Sequence, residues 1–255
     1  MDQFIFIGIY RRLDSNVFII IKFRYEIMDK SMQFFKMHVI LPAPDNENFL
    51  SGFSFCLRQY NVRLRDSIIR EFGDERVFKC NPNYYNYVLT DGDDLRGLLG
   101  RCNILRKLTN KDLVDFMNCC FYVGKGSGAR KISHLFESLK IIREGVESED
   151  EEKTRKILDL WKGGRSVAVL ILGQDRNHYE AMAREFALIK ALNLDFLTNK
   201  INSTAYGEMK FSWSDNEIIN FGILLLFSVL QSSLVDWPTF IYEKDLVNKQ
   251  NKNKK

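Results

Sequence analysis

Residues 119–140 read CCFYVGKGSGARKISHLFESLK, and the fold turns on how that stretch is parsed. It begins as a continuous apolar and aromatic run over 119–124, the composition of a buried strand. Three glycines and a lysine then fall within residues 124–128, which reads as a strand-to-helix loop. The segment after it places Ile132, Leu135, Phe136 and Leu139 at i, i+3, i+4 and i+7, the stripe of an amphipathic helix. Arg130 and His134 lie about 40° apart on the opposite, open face. Strand, glycine turn and helix therefore deliver an arginine and a histidine to one place.

Two nucleotide-binding templates fail here. A dinucleotide fingerprint needs G-x-G-x-x-G, whereas Gly124, Gly126 and Gly128 give G-x-G-x-G. A Walker loop ends in Gly-Lys-Ser/Thr, whereas Lys125 follows the first glycine. What remains is a set of backbone N–H groups at Gly124 and Gly126, a helix N-terminus and Lys125. That set suits a phosphate or another anion; a plain turn is the alternative.

Working outward, YYNYVLTD (84–91) alternates around aromatic and β-branched residues and ends in a DGDD turn, so it reads as a strand. Residues 93–118 read as a basic helical insertion carrying Arg96, Arg101, Arg106, Lys107 and Lys111. The acidic stretch 147–152 breaks the chain before a helix with Ile157, Leu158 and Trp161, stopped at Gly163-Gly164. SVAVLILG (166–173) is a third strand. NHYEAMAREFALIKALN (177–193) is a long helix with Tyr179, Met182, Phe186 and Ile189 as its apolar face. Residues 214–234 are a capped apolar helix for the sheet to carry. The expected class is α/β, a three-stranded sheet flanked by helices. Ahead of it lies an extension of strands and one or two short helices. The expected organisation is an extension at 1–80, a main domain at 81–240, and a basic disordered tail at 241–255.

Composition narrows the rest. The chain has 255 residues and is 45% hydrophobic, enough for a real core and against global disorder. A net charge of +4 permits a polyanionic partner without demanding one. No apolar run approaches the ~18–20 residues of a membrane span, and the amino end lacks the order of a secretory signal. Met37 is an alternative start. The five cysteines, Cys56, Cys80, Cys102, Cys119 and Cys120, are odd in number and show no C-x-x-C spacing. They read as buried small side chains in a reducing, intracellular compartment, the nucleus or cytoplasm, rather than a zinc or disulfide framework.

These residues resemble the GIY-YIG nucleases, and among them the animal endonucleases with ankyrin repeats and a LEM domain. FYVGKGSGARKISHL carries the second half of the signature as Tyr122-Val123-Gly124, with Arg130 and His134 on the following helix. The first half falls on Tyr85-Asn86-Tyr87, where only the tyrosine Tyr87 survives. AREFALIKAL places the family's glutamate at Glu185, and FLTNK places its asparagine at Asn199. The likeness covers roughly 84–240. No ankyrin repeat or LEM module is visible, so the chain is expected to be a fragment or a shortened relative. The literal Gly8-Ile9-Tyr10 is read as a decoy, separated from Tyr122 by a linker and helices.

The resemblance implies a structure-selective DNA endonuclease acting in repair or on branched or flapped DNA, with one Mg²⁺ or Mn²⁺ held by Glu185. Arg130 would grip a non-bridging phosphate oxygen. Either Tyr87 or Tyr122 would activate water, although a phenol of pKa ~10 is a poor base near neutrality unless cations lie close. His134 would relay a proton, bind phosphate or stay passive. Asn199 would tether a loop or simply occupy a turn. Lys200, Lys210, the insertion and the tail are candidate DNA-phosphate contacts. The competing reading is a nucleic-acid-binding or scaffold protein on the same fold that no longer cuts.

Overall fold

The computed structural model describes residues 3–11, 18–26, 34–40, 46–74, 77, 84–105, 108–145 and 151–252. The 80–83 turn, Arg106, Lys107, residues 147–150 of the acidic stretch and the last three of the tail lie outside them. Strands β1 (Gln3–Arg11), β2 (Phe18–Glu26) and β3 (Phe34–Ile40) form an antiparallel meander separate from the main sheet. Gly8-Ile9-Tyr10 lies in β1, which pairs with β2 alone.

The main sheet is built from β4 (Tyr84–Asp91), β5 (Cys120–Ser127), β6 (Val167–Arg176) and the short β7 (Phe240–Ile241), in the order β5-β4-β6-β7 and antiparallel throughout. There are thus four strands where the sequence suggests three. A two-residue strand carries too little pattern to be read from composition. Between β4 and β5 run α2 (Gly92–Leu105) and α3 (Asn110–Cys119), the latter opened by a Thr109–Asp112 capping box.

The sheet's two faces carry two cores. Val88, Val123, Ala168, Leu170 and Leu172 face a cluster that includes Leu95, Leu98 and Leu99 of α2 and Phe116 of α3. Helices α6 (His178–Leu192) and α8 (Asp215–Val235) pack into the same cluster. Tyr85, Tyr87, Leu89 and Val167 face the other, with Leu135 and Leu139 of α4 (Arg130–Glu144) and Ile157, Leu160 and Trp161 of α5 (Glu151–Lys162). The α8 helix passes a membrane-span test by length and hydropathy, 2.0 in its most apolar window, yet two-thirds of that window is buried in the protein. Gly222 of α8 abuts Ala187 and Ala191 so closely that a Cβ there would meet Ala187's carbonyl. The tightly buried side of α6 is accordingly Ala183, Ala187 and Ala191, while Tyr179, Met182 and Phe186 are half-buried.

Three expectations are corrected. The segment read as one or two short helices is a single helix, α1 (Asn46–Phe72), ended by Gly73 at φ +79°. Its buried Phe53, Tyr60, Leu64 and Ile68 recur on one face and belong to the first core. Tyr60 packs on Trp213 and Phe221 at 5.2 and 5.5 Å between ring centroids. Arg63 pairs with Glu208 of the four-residue helix α7 (Glu208–Phe211) at 2.7 Å and with Glu217 at 2.8 Å. The tail read as disordered forms β7 and α9 (Glu243–Lys252), because Leu246 is buried beside Trp161's cluster and Trp161 Nε1 donates to Ile241's carbonyl at 3.2 Å. The glycine loop is not a loop: β5 continues through Gly124 and Gly126 to Ser127.

Candidate active site

The site forms around β5, an edge strand. In an antiparallel edge strand, alternate residues turn their N–H and C=O groups away from the sheet. Asn199 meets these outward groups at Val123: its Oδ1 accepts from Val123 N at 2.9 Å and its Nδ2 donates to Val123 O at 2.8 Å. Thr198 donates from N to Phe121 O at 2.7 Å. The 198–199 segment therefore caps the edge as another strand would. The sequence expectation that Asn199 tethers a loop corresponds to this arrangement. One step further along, the outward Lys125 N–H turns toward the Glu185 carboxylate and favours its charged form.

Gly124 and Gly126 lie in the β4 ladder opposite Tyr87 and Tyr85, so their backbone groups serve the sheet rather than an anion. Their missing side chains are what the site uses. A Cβ on Gly124 would sit 2.5 Å from Tyr87 Cζ and 2.6 Å from its hydroxyl. A Cβ on Gly126 would meet the Arg130 side chain at 2.8 Å. The two glycines let a buried tyrosine and an arginine stem lie flat across β5.

Tyr87 is fully buried, and its hydroxyl lies 2.8 Å from His134 Nε2. His134 Nδ1 lies 3.1 Å from the carboxylate of Glu137, one helical turn on. That carboxylate only accepts, so Nδ1 carries the proton and the neutral ring presents Nε2 as an acceptor to Tyr87. Burial first, then the Lys153 charge, hold His134 below its ordinary pKa. The expected open face thus holds for the exposed Arg130, whereas His134 is 6% exposed. It is enclosed by Tyr87 and by Tyr122, whose ring centroid is 5.4 Å away.

The Tyr87 and Tyr122 rings are 6.1 Å apart, so each phenol acts on the other. Tyr87's one proton is given to His134 Nε2. Burial pushes the Tyr87 phenol well above its ordinary value, negative charge on Tyr122 adds to this, and Arg130 pulls it back. Tyr87 is therefore held protonated. Tyr122 is half-buried, the more open of the two.

Glu185, on α6, is half-buried. Burial raises its carboxyl above the ordinary range, opposed by Ser203, by the Lys125 and Arg130 charges, and by the Lys125 N–H. Ser203 Oγ donates to Glu185 Oε2 at 2.6 Å. Salt bridges to Arg184 or Lys190 are the bland alternative, but Arg184 bonds Asn61 at 2.8 Å and Lys190 pairs with Asp215 at 3.4 Å. The Arg130 stem lies over Gly126 of β5, and its charge reaches Tyr87, His134 and Glu185. Among the described residues no three His, Cys, Asp or Glu side chains gather as a chelating set. A lone, partly desolvated carboxylate beside an anion-seeking arginine fits a hard cation that takes its remaining oxygens from water and substrate.

Several contributors were not read from the sequence. Tyr85 accepts from Lys131 N at 3.1 Å and donates to Gly128 O at 2.7 Å, fixing the turn that launches Arg130. Its period-two spacing from Tyr87 was the available signal. Asn86 donates to Ala181 O at 2.8 Å, tying β4 to the helix that bears Glu185. Glu137 carried a signal in its i+3 spacing from His134; Ser203 and Lys153 carried none. Of the candidate DNA contacts, Arg96 is taken: it bonds Tyr242's hydroxyl at 2.9 Å and stacks 4.3 Å over Phe240. Arg101 and Lys111 share Asp115. Lys200 and Lys210 are exposed. The thiols of Cys56, Cys102, Cys119 and Cys120 are free, and burial pushes Cys102 up to about 11 and Cys119 to about 12.

Residues 84–248 match the family model described as the LEM-3-like GIY-YIG domain. Human ankyrin repeat and LEM domain-containing protein 1 is 29% identical over 164 residues, covering 64% of this chain and 26% of that protein. The mouse protein of the same name is 30% identical over 166 residues, covering 64% and 30%. The Caenorhabditis elegans homolog is 29% identical over 196 residues, covering 74% and 27%. The chain spans less than a third of the length of these relatives. No solved structure gives a significant match.

Proposed function

Because this chain belongs to the LEM-3-like GIY-YIG domain family and so carries a nuclease domain, we propose that it is a divalent-metal-dependent endonuclease for branched or flapped DNA, serving repair or the processing of such structures. It acts inside the cell, in the nucleus or cytoplasm, where its free thiols stay reduced. The observation that carries this reading is the convergence of Tyr87, Tyr122, His134, Arg130 and Glu185 around the edge strand β5.

Glu185 is the carboxylate that would hold Mg²⁺ or Mn²⁺, kept in place by Ser203 and the Lys125 N–H. When bound, such an ion supplies Lewis-acid polarisation of the phosphate and relief of charge on the leaving oxygen. Arg130, exposed at the mouth, binds a non-bridging phosphate oxygen through charge-assisted bonds. Tyr122 is the base. As the phenolate it takes a proton from water, and the oxygen so activated bonds to phosphorus. The bond from phosphorus to one sugar oxygen breaks, and that oxygen leaves with the electron pair and takes a proton from solvent. Tyr87, held protonated and bonded to His134, stays neutral and leaves the negative charge of the pair to Tyr122. Exposed Lys200, on the loop pinned by Asn199, meets neighbouring phosphates.

The test uses the full chain on branched, flapped and linear duplex DNA with Mg²⁺, Mn²⁺ or EDTA, beside Glu185→Gln. Metal-dependent cutting, greater on branched substrates and lost in the variant with DNA binding kept, is the expected result. Binding without cutting under every metal condition would instead support the non-catalytic scaffold reading.

A further inference from the structure

Helix α5 carries a lysine that none of the chemistry above uses. Lys153 is 1% exposed, among the largest fully buried side chains of the described residues. Lysine is almost never buried so completely, because its ammonium loses hydration worth several kcal/mol that the surroundings must replace. Lys153 shares the buried side of α5 with Thr154, Ile157, Leu160 and Trp161. Its Nζ lies 4.5 Å from the centroid of the Tyr122 ring, and its charge reaches His134. Such near-complete burial prevents it from touching a DNA phosphate.

We propose that Lys153 is a positioning residue that acts through Tyr122, seating the ring by a cation–π contact and favouring negative charge on its oxygen. This rests on Tyr122 being the base. The titratable and charged groups around the ring include Tyr87 from β4, His134 from α4 with Glu137 bonded to it, and Lys153 from α5, with Arg130 of α4 in electrostatic reach of the first two. Tyr87 is neutral and His134 is held neutral, while Lys153 sets its ammonium against the ring face. Arg130 is committed to substrate, so its contribution varies with occupancy. The contribution of Lys153, sealed from solvent, does not, and low local dielectric magnifies it.

The experiment compares wild type with Lys153→Met, of similar length without charge, and Lys153→Arg, which keeps the charge. Single-turnover cleavage of branched DNA is followed against pH. The Tyr122 phenol is titrated independently by carbon NMR of protein labelled at tyrosine Cζ, its resonance identified by its loss in Tyr122→Phe. In Lys153→Met both the Tyr122 titration and the acid limb of the rate profile should move up by about one to two pH units. The rate at neutral pH should fall ~10–100-fold and recover at high pH, with DNA affinity unchanged. Lys153→Arg should keep the limb within about half a unit of wild type. An unmoved Tyr122 titration in Lys153→Met overturns the proposal, as does a rate loss equal at all pH. If Lys153→Met does not fold, a displaced limb in folded Lys153→Arg overturns it instead. Full activity in Tyr122→Phe would sink the assignment of the base while the NMR titration still decided the Lys153 contact.

Discussion

Among the glycines of the site, Gly124 is the one a side chain would crowd most. Replacing it with alanine puts a Cβ 2.5, 2.6 and 2.8 Å from Cζ, the hydroxyl and Cε1 of Tyr87. Ordinary carbon contacts begin near 3.5 Å, so the ring must recede by about 1 Å. It has nowhere easy to go: Tyr87 is fully buried, in one cluster with the buried Leu135 and Leu139. Overpacking of this kind costs about 1–3 kcal/mol. A retreating phenol also gives up its 2.8 Å bond to His134, worth about 0.5–1.5 kcal/mol. The sum, about 2–4 kcal/mol, corresponds to a fall in melting temperature of roughly 5–15 °C for a chain of this size. Urea denaturation and thermal melting read the stability, and single-turnover cleavage should fall ~100-fold from the misplaced hydroxyl. Gly97→Ala is the control. Gly97 lies exposed within α2, where a Cβ meets only Arg101 Nη1 at 3.9 Å, so alanine there should stabilise by about 0.5–1 kcal/mol. Adding Tyr87→Phe to Gly124→Ala removes one of the three crowded atoms and should return part of the loss, a non-additivity that names the partner. Stability within about 0.5 kcal/mol of wild type, with full cleavage, would refute the packing argument.

Two further outcomes are expected. His134 has a folded pKa below its ordinary 6.5, so the unfolded chain takes up the proton first as pH falls, and stability drops through 6.5 toward the folded value. His134→Gln lacks that proton, so its urea midpoint should change less than wild type's between about pH 8 and 5; parallel curves would show that the ring titrates normally. A chain starting at residue 81 would lose Phe53, Tyr60, Leu64 and Ile68 from the core. At about 1.5–3 kcal/mol each they supply roughly 6–12 kcal/mol, comparable with a whole domain's stability. That truncation should lack a cooperative melt, and a sharp melt would show α1 to be dispensable.

Much of the site was legible because its residues sit at spacings that backbone periodicity fixes. Tyr87 and Tyr122 stand on strands whose register sets them two ladder positions apart on one face, Leu89 opposite Tyr122 and Tyr87 opposite Gly124. Arg130 and His134 stand one helical turn apart on α4. What escaped was tertiary. Whether Gly124-Lys125-Gly126 bends or runs straight depends on β4 lying beside it, which no local pattern encodes. His134 read as surface because the apolar stripe of α4 pointed elsewhere, yet aromatic rings from β4 and β5 cover it. Lys153 lay next to an acidic stretch and looked like any solvated charge. The extent of α1 was obscured by its arginines, Arg63 and Arg70, which turn out to pair across to Glu208.

An edge strand is the one place in a sheet where both requirements of this site can be met at once. The sheet side of β5 must hold Tyr122 in register against Tyr87, and the ladder does so through the same pairing that brings Gly124 opposite Tyr87. The outer side must present donors to a carboxylate arriving from a different layer, and only an edge has N–H groups left to give. An exposed edge invites pairing with other chains, but here Thr198 and Asn199 satisfy Phe121 and Val123 by mimicking a strand for two residues. The mimicry stops before Lys125, whose N–H turns to Glu185. Extending the cap by one more residue pair would take that donor away. The loop instead leaves the edge after Asn199 and returns at Ser203, whose hydroxyl donates to the same carboxylate. Two groups that bind the edge and the carboxylate, four residues apart on one loop, thus decide where a cation-binding oxygen stands relative to the phenols. The aromatic chemistry and the carboxylate chemistry belong to opposite faces of the sheet, and β5 is their shared boundary.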